Sequence, residues 1–540
     1  MLLEKNAYAD YISLRKKDIT PAWKITQIDN NHYDAITPNK FPIELSTDIN
    51  TTFDIDNTPQ YQSTMLWYHS LAWLRIIYNS NDNDQFVNNF IDTYHSFIKS
   101  ELSDVIFSTL TSRDHLVAEQ IRNLTYFLAQ DDARFIKKTS TKEILLKLTT
   151  WATAPGSILN NNHGMMLASS LLHIPLFIEM SQKNKDNFIE LLSNRLVEII
   201  ESAFDSYGLC NENTPNYQNF YIKFLKNQIS ELGFLEKYDT QYSLITAKLL
   251  EILSTAEHTL SLISLPTGEL PPFGDGNNTD YQKITKPLDF AEFYSLDSGF
   301  YSYKHKKIRR RYFSMKCGYS SSTHKHSDDT SIFYWYDGFP IITDAGFLNY
   351  DWKDPKNVLV KSQRGHSGAF YYKYDELYPI TLYKDGLDNS RIVSSMHVEK
   401  QKNNLNIIKG TVCIDKKYNT ERTIKFSHLN NILILDNFII NDPTEKLEKC
   451  VRFLVPAEHE VKLCDGYILI SNITFNLKLI YKSGIANIKK GHMKNGTPYE
   501  GWVVNTPFKD LKECNTIEIH LNEDENSSIV NLLLEELLPK

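Results

Sequence analysis

Asn160-Asn161-Asn162-His163-Gly164 puts three amides and an imidazole directly before an apolar helical run. On their own these side chains read as helix-capping groups, because asparagine is among the best N-cap residues. Glu212-Asn213-Thr214-Pro215-Asn216-Tyr217 opens the next helix, and a Glu and a Tyr at a loop edge are structural by default. His324-Lys325-His326-Ser327-Asp328 stands at the entrance to an expected strand, where side-chain alternation would put both histidines on one face. Asp344 follows in Thr343-Asp344-Ala345-Gly346, and His366 in Arg364-Gly365-His366-Ser367-Gly368. Two histidines and a carboxylate suit zinc, although ligands scattered this widely do not by spacing alone define a site. The basic run Lys306-Lys307-Ile308-Arg309-Arg310-Arg311 is either a solvated strand end or a source of guanidinium groups that hold carboxylate or sulfate bidentately.

Some signatures are missing. The sequence contains no GxGxxG, GxxxxGK[ST], HExxH or GxSxG, which removes the usual nucleotide, metalloprotease and serine-hydrolase motifs.

Two kinds of element must position the four segments. From about residue 60 to 260 apolar residues recur at helical spacing, as in Phe86, Phe90, Tyr94 and Phe97, or Leu116, Ile121, Leu124 and Leu128. That pattern predicts an array of antiparallel helices. After the Pro/Gly-rich passage 265–278 the period changes, with strands expected at Arg311–Tyr319, Ser331–Tyr336, Ile341–Thr343, Ala369–Tyr374, Ile432–Ile440 and Tyr467–Ile480. Regularly spaced short strands over this length predict a large antiparallel sandwich. The resulting division is an N-terminal extension over 1–55, a helical domain over 56–285 and a β-sandwich domain over 286–540.

The chain of 540 residues is 41% hydrophobic and 23% charged, a globular balance that excludes extensive disorder. A net charge of -8 argues against a general nucleic-acid partner but leaves room for a local basic cleft. No apolar run is long enough to span a membrane, and Met165–Ile178, the most apolar stretch, is broken by Ser169, Ser170, His173 and Pro175. The first thirty residues carry no apolar core after a basic start, so no secretory signal is expected and the default compartment is the cytoplasm. Six separated cysteines without a CxxC pair read as free thiols.

Taken in order, these motifs resemble the heparinase II/III-like family of polysaccharide lyases, which includes alginate and oligo-alginate lyases. Asn162-His163, Tyr217 after Glu-x-Thr-Pro-x, the Pro-x-x-Gly-Asp element 271–275, His-x-His at 324–326, Asp344-Ala-Gly and Arg-Gly-His at 364–366 carry the resemblance. Thr214 and Gln218 depart from the family pattern, in which serine and histidine are common at those places. The resemblance implies an incomplete (α/α) toroid followed by an antiparallel β-sandwich. It implies that Asn162, with His163, neutralises a substrate carboxylate, that Tyr217 is the acid and can also be the base, and that His324 is a partner base. Glu212, Arg311 and Arg364 become candidate substrate-binding residues, and His326, Asp344 and His366 candidate ligands of a structural zinc. The implied partner is an anionic polysaccharide or oligosaccharide cleaved by β-elimination.

Two rivals stand beside that reading. One is a glycoside hydrolase on an (α/α) scaffold, with Glu212 and Asp275 as its carboxylate pair. The other is a non-catalytic glycan-binding protein of a surface-polysaccharide pathway.

Overall fold

The computed structural model describes residues 3, 7–16, 23–38, 40–49, 61–80, 83–131, 134–276, 287–306, 309–321, 323–349, 351, 353–372, 392–441, 447–505 and 510–537. The boundaries expected at 55/56 and 285/286, together with Lys307 and Ile308 of the basic run, lie outside the described residues. The chain divides into two compact units, Met1–Ser202 with Leu225–Ile252, and Ala203–Phe224 with Leu253–Lys540.

The first unit is helical, as the period of its apolar residues requires. In the helix Asp84–Lys99 the predicted stripe is buried and its rings follow one another, with centroids 6.4 Å apart for Phe86–Phe90 and 5.6 Å for Phe90–Tyr94. Asn83 caps that helix by accepting from the Phe86 amide. Arg113–Leu128 is buried at Leu116, Ile121, Leu124 and Leu128 and packs against Lys138–Ala152 and Asn162–Leu171. The N-terminal segment contributes an antiparallel sheet of Lys24–Gln27, His32–Ile36 and Pro42–Ser46, which the sequence reading had left as an extension.

The second unit is mostly β. Its largest sheet has eight antiparallel strands in the order Ile392–Gln401, Leu405–Ile414, Tyr418–His428, Asn431–Ile440, Ser527–Glu536, Phe475–Tyr481, Tyr467–Ser471 and Glu460–Cys464. A meander of Phe290–Ser295, Phe300–Lys306, Arg310–Lys316, Ser331–Tyr336 and Phe339–Ile342 forms a second sheet. A third is centred on Lys449–Pro456 and Asp510–Leu521. In the outer strands burial alternates residue by residue, as in Leu405–Ile414, the mark of a sheet with one wet face. Ser331–Tyr336 and Lys449–Pro456 are buried throughout. One core joins side chains of all three sheets, among them Phe313, Tyr334, Ile408, Ile434, Phe453 and Ile517.

One expected strand divides. Tyr467–Ile480 is two strands, Tyr467–Ser471 and Phe475–Tyr481, because the Asn472 side chain accepts from the amides of Thr474 and Phe475 and closes a turn.

Candidate active site

The site of the second unit is built on loops held by this framework. The helix Tyr242–Ile263 ends against the meander, where Lys304 Nζ donates to the carbonyls of Ser261 (2.6 Å) and Ser264 (2.8 Å) and the Tyr312 hydroxyl donates to Ile263 (2.7 Å). A lysine satisfying the last carbonyls of a helix fixes where the following loop starts. That loop delivers Asp275. Asn213, in the left-handed region at φ 60, sends its amide to the carbonyls of Ser321 (2.6 Å) and Thr323 (2.9 Å) and accepts from Lys316 Nζ at 3.3 Å. It thereby ties the start of the helix Pro215–Leu235 to the loop carrying His324. Gly274 lies at the crossing, where a Cβ would stand 2.9 Å from the Asn213 carbonyl and 3.1 Å from that of His324.

His324 is the centre of this arrangement. It lies in a loop, with φ 56, and not in the strand the sequence reading assigned to it. Its Nδ1 donates to Asp275 Oδ2 at 2.6 Å, and its Nε2 lies 3.2 Å from Glu212 Oε2. The Tyr217 ring stacks on its imidazole with centroids 4.1 Å apart. Burial works against a charge on His324, but the hydrogen bonds to Asp275 and then Glu212 outweigh it and push its pKa up to about 9. Asp275 is buried and also receives His326 Nε2 and Lys361 Nζ, both at 2.8 Å. Burial alone would raise this carboxyl, yet those bonds and nearby charges hold it well below the ordinary carboxylate range. The other oxygen of Glu212 accepts from the Tyr221 hydroxyl at 2.6 Å.

The remaining predicted residues divide sharply. His366 Nδ1 donates to Asp344 Oδ2 at 2.8 Å, and the His326 and His366 rings lie 5.5 Å apart. His326 Nδ1 and His366 Nε2 are both buried without a hydrogen-bond partner, and a buried polar atom in that state calls for a ligand. Two imidazole nitrogens are donors of the kind a divalent metal takes. Asp344, as placed, orients His366 from outside. Among the described residues the set whose ligand atoms all lie within 4.8 Å of one another is instead Cys450, Glu518 and His520. There the Glu518 carboxylate already receives Arg452 and Lys489, which leaves it poorly suited to a cation.

Arg364 is buried against Glu500 (2.8 Å), its guanidinium 3.5 Å from the Tyr499 ring centroid, so it fastens two segments of the sandwich. Arg311 pairs with Glu536 at the end of its strand opposite Lys316. Neither is gathered with His324 and Tyr217. Asn162 and His163 belong to the first unit, at the start of the helix Asn162–Leu171, whose cap is Asn161 accepting from the Gly164 amide. His163 stacks on His115 at 4.9 Å and lies 3.6 Å from Asp114, whose carboxyl is raised by burial.

Nothing in the local spacing of Lys361 or Tyr221 marks them for the site, and Asn213 lies in the Glu212–Tyr217 segment without a sequence signal for its role. Asp275 was visible in the Pro-x-x-Gly-Asp element, though not as the partner of two histidines.

No family model matches the chain, and no curated protein sequence does. Solved structures do match. A heparinase III structure aligns at TM-score 0.66 and 12% identity, covering 99% of this chain and 85% of that one. A second heparinase III, with methylated lysines, aligns at 0.65 and 12%, covering 98% and 84%. A mutant of the heparan sulfate lyase HepC from Pedobacter heparinus aligns at 0.62 and 14%, also covering 98% and 84%. The chain therefore has the heparinase III fold, helical N-terminal toroid followed by antiparallel β-sandwich, as its sequence predicted. Among the described residues no helix is long and apolar enough to cross a membrane.

Proposed function

We propose that the protein is a polysaccharide lyase that cleaves a uronate-containing glycan by β-elimination, with Tyr217 as its proton-transferring group. The observation that carries this reading is the Tyr217 ring stacked at 4.1 Å on His324, an imidazole with a carboxylate at each nitrogen. Tyrosine has an unperturbed pKa of ~10 and works as a base only beside positive charge. A cationic His324 supplies that charge. With both nitrogens engaged it has no lone pair to accept a proton, so the geometry favours a cation over the partner base that the resemblance implies.

In the elimination, the C–H bond next to the uronate carboxylate breaks and its proton passes to the Tyr217 phenolate. The electron pair forms the carbon–carbon double bond while the glycosidic C–O bond breaks. The leaving oxygen takes the proton back from the Tyr217 phenol, so one residue serves as base and then acid. Neutralising the uronate carboxylate, which makes the carbon acid strong enough, is the role the resemblance assigns to Asn162 and His163. A zinc ion held by His326 and His366, with Asp344 orienting His366, would brace these loops and leave the reaction to protein side chains.

In the hydrolase alternative Asp275, held low by two histidines and a lysine, cannot be the general acid. That role would fall to Glu212, whose oxygens are already taken by His324 and the Tyr221 hydroxyl.

Tyr217→Phe tests the reading on any uronate polymer the protein cleaves. The substitution removes only the hydroxyl, so turnover should fall by roughly 10²–10⁴-fold with substrate binding and melting temperature little changed. Turnover within a few-fold of the parent would remove Tyr217 from the reaction.

A further inference from the structure

The basic run singled out in the sequence is not a bare cationic patch. Lys306 pairs with Asp289 at 3.1 Å, Arg309 with Asp337 at 2.6 Å, and Arg311 with Glu536. Arg311 and Lys316 mark the two ends of one strand, and five residues at ~3.3 Å each separate them by roughly 17 Å. Lys316 reaches Asn213, next to Glu212, whereas Arg311 borders a cavity of about 440 Å³ at the far end. Tyr303, His305, Arg311, His428, Asn430 and Glu536 line it. The volume lies within the range of small-ligand sites.

The cavity is built from satisfied backbone and available side chains. The turn Leu429–Asn430 is fixed by the Tyr334 hydroxyl, which donates to the Leu429 carbonyl at 2.5 Å, and by the Leu534 amide, which donates to the Asn430 carbonyl at 2.9 Å. The His428 and Asn430 side chains are exposed. Arg311 and Glu536, paired with each other, supply the permanent charges of the lining. Behind the lining, Tyr303 is met edge-on by the ring of Phe290 at 5.9 Å.

We propose that this cavity binds an uncharged, hydroxyl-rich sugar residue. The two permanent charges lining it cancel. A carboxylate or sulfate would have to displace Glu536 from Arg311, whereas a hydroxyl can donate to Glu536 without breaking the pair. Asn430 adds a donor and an acceptor of the kind that reads vicinal hydroxyls. The Tyr303 ring provides the apolar face on which one side of a pyranose rests. Binding here requires no proton transfer at Tyr217, so the inference stands apart from the lyase reading.

Saturation-transfer NMR and calorimetry on the whole protein, with glucose, galactose, N-acetylglucosamine and glucuronate as probes, test it. At least one neutral sugar should bind with an affinity nearly insensitive to salt, and glucuronate should bind no more tightly. Asn430→Ala should weaken that binding about three- to tenfold, the loss expected for a hydrogen bond, without altering the melting temperature. Tyr217→Phe should leave it unchanged. The inference is overturned if no neutral sugar binds, if glucuronate binds more tightly and in a salt-dependent way, if Asn430→Ala retains full affinity, or if Tyr217→Phe loses it.

Discussion

His324 holds a backbone conformation that non-glycine residues rarely adopt, and the surrounding bonds pay for it. Asp275 does most of this, because it accepts from His324, His326 and Lys361. Asp275→Asn keeps the shape but leaves cationic partners buried without their counter-charge. Breaking such a network typically costs about 3–5 kcal/mol, so unfolding in denaturant should show a loss of that order, and pairing the change with Lys361→Met should recover part of it. A loss below 1 kcal/mol would mean that Asp275 is not the anchor. At this scale the sequence showed which residue types were present but not their partners. His324 and Tyr217 stood in recognisable motifs. The carboxylates that set the charge of His324 come from 49 and 112 residues away in the chain, a proximity that no local spacing encodes.

Elements were legible wherever burial imposes a period. The stripe Phe86, Phe90, Tyr94, Phe97 is buried as a helix, and Ser331–Tyr336 is a strand at the bounds expected. Loops with special backbone geometry were not, which is why a strand was expected through 324–326 and why one hairpin was merged into a single strand. Metal is the test at this level. His326 Nδ1 and His366 Nε2 lie on segments with little regular structure, so an ion joining them should matter for stability before it matters for chemistry. Elemental analysis should find about one zinc per chain, and chelation should lower the melting temperature. A metal-free protein of undiminished melting temperature would contradict this. In the helical unit the short N-terminal helix Tyr8–Lys16 is fastened by Arg15, buried with Glu231 (3.0 Å) and His173. Burial would raise Glu231, but Arg15 and His173 hold it well below the ordinary range, and His173 is pushed down to about 4 by burial and then by Arg15. A depressed carboxyl contributes stability above its unfolded pKa, ~4.3 for glutamate, and that contribution fades as pH falls below it; His173 gaining its proton acts in the same direction. The parent should therefore lose stability as pH falls, from His173 between about 6.5 and 4 and from Glu231 below ~4.3, where the stability gap to Glu231→Gln narrows. A gap of equal size at pH 7 and pH 3, measured by denaturant unfolding, would contradict the linkage.

For the molecule as a whole, the change of period near residue 290 announced helices first and sheets second, and the heparinase III fold is what that order becomes. The assignment of chain to compact units was harder to read. Residues 203–224 and 253–276 are helical or loop in sequence character yet belong with the sheets, because Gln218, Asn213 and Asp275 find their hydrogen-bond partners in that unit. The central claim is elimination, and its products distinguish it from every rival. The purified protein should be incubated with a panel of uronate polymers, alginate and heparan sulfate among them, while ultraviolet absorbance is followed and product masses are recorded. Absorbance should rise as an unsaturated uronate forms, with fragment masses that sum to the parent chain. Fragments that each gain a water without absorbance would make the protein a hydrolase, and intact polymers that bind without cleavage would make it a glycan-binding protein.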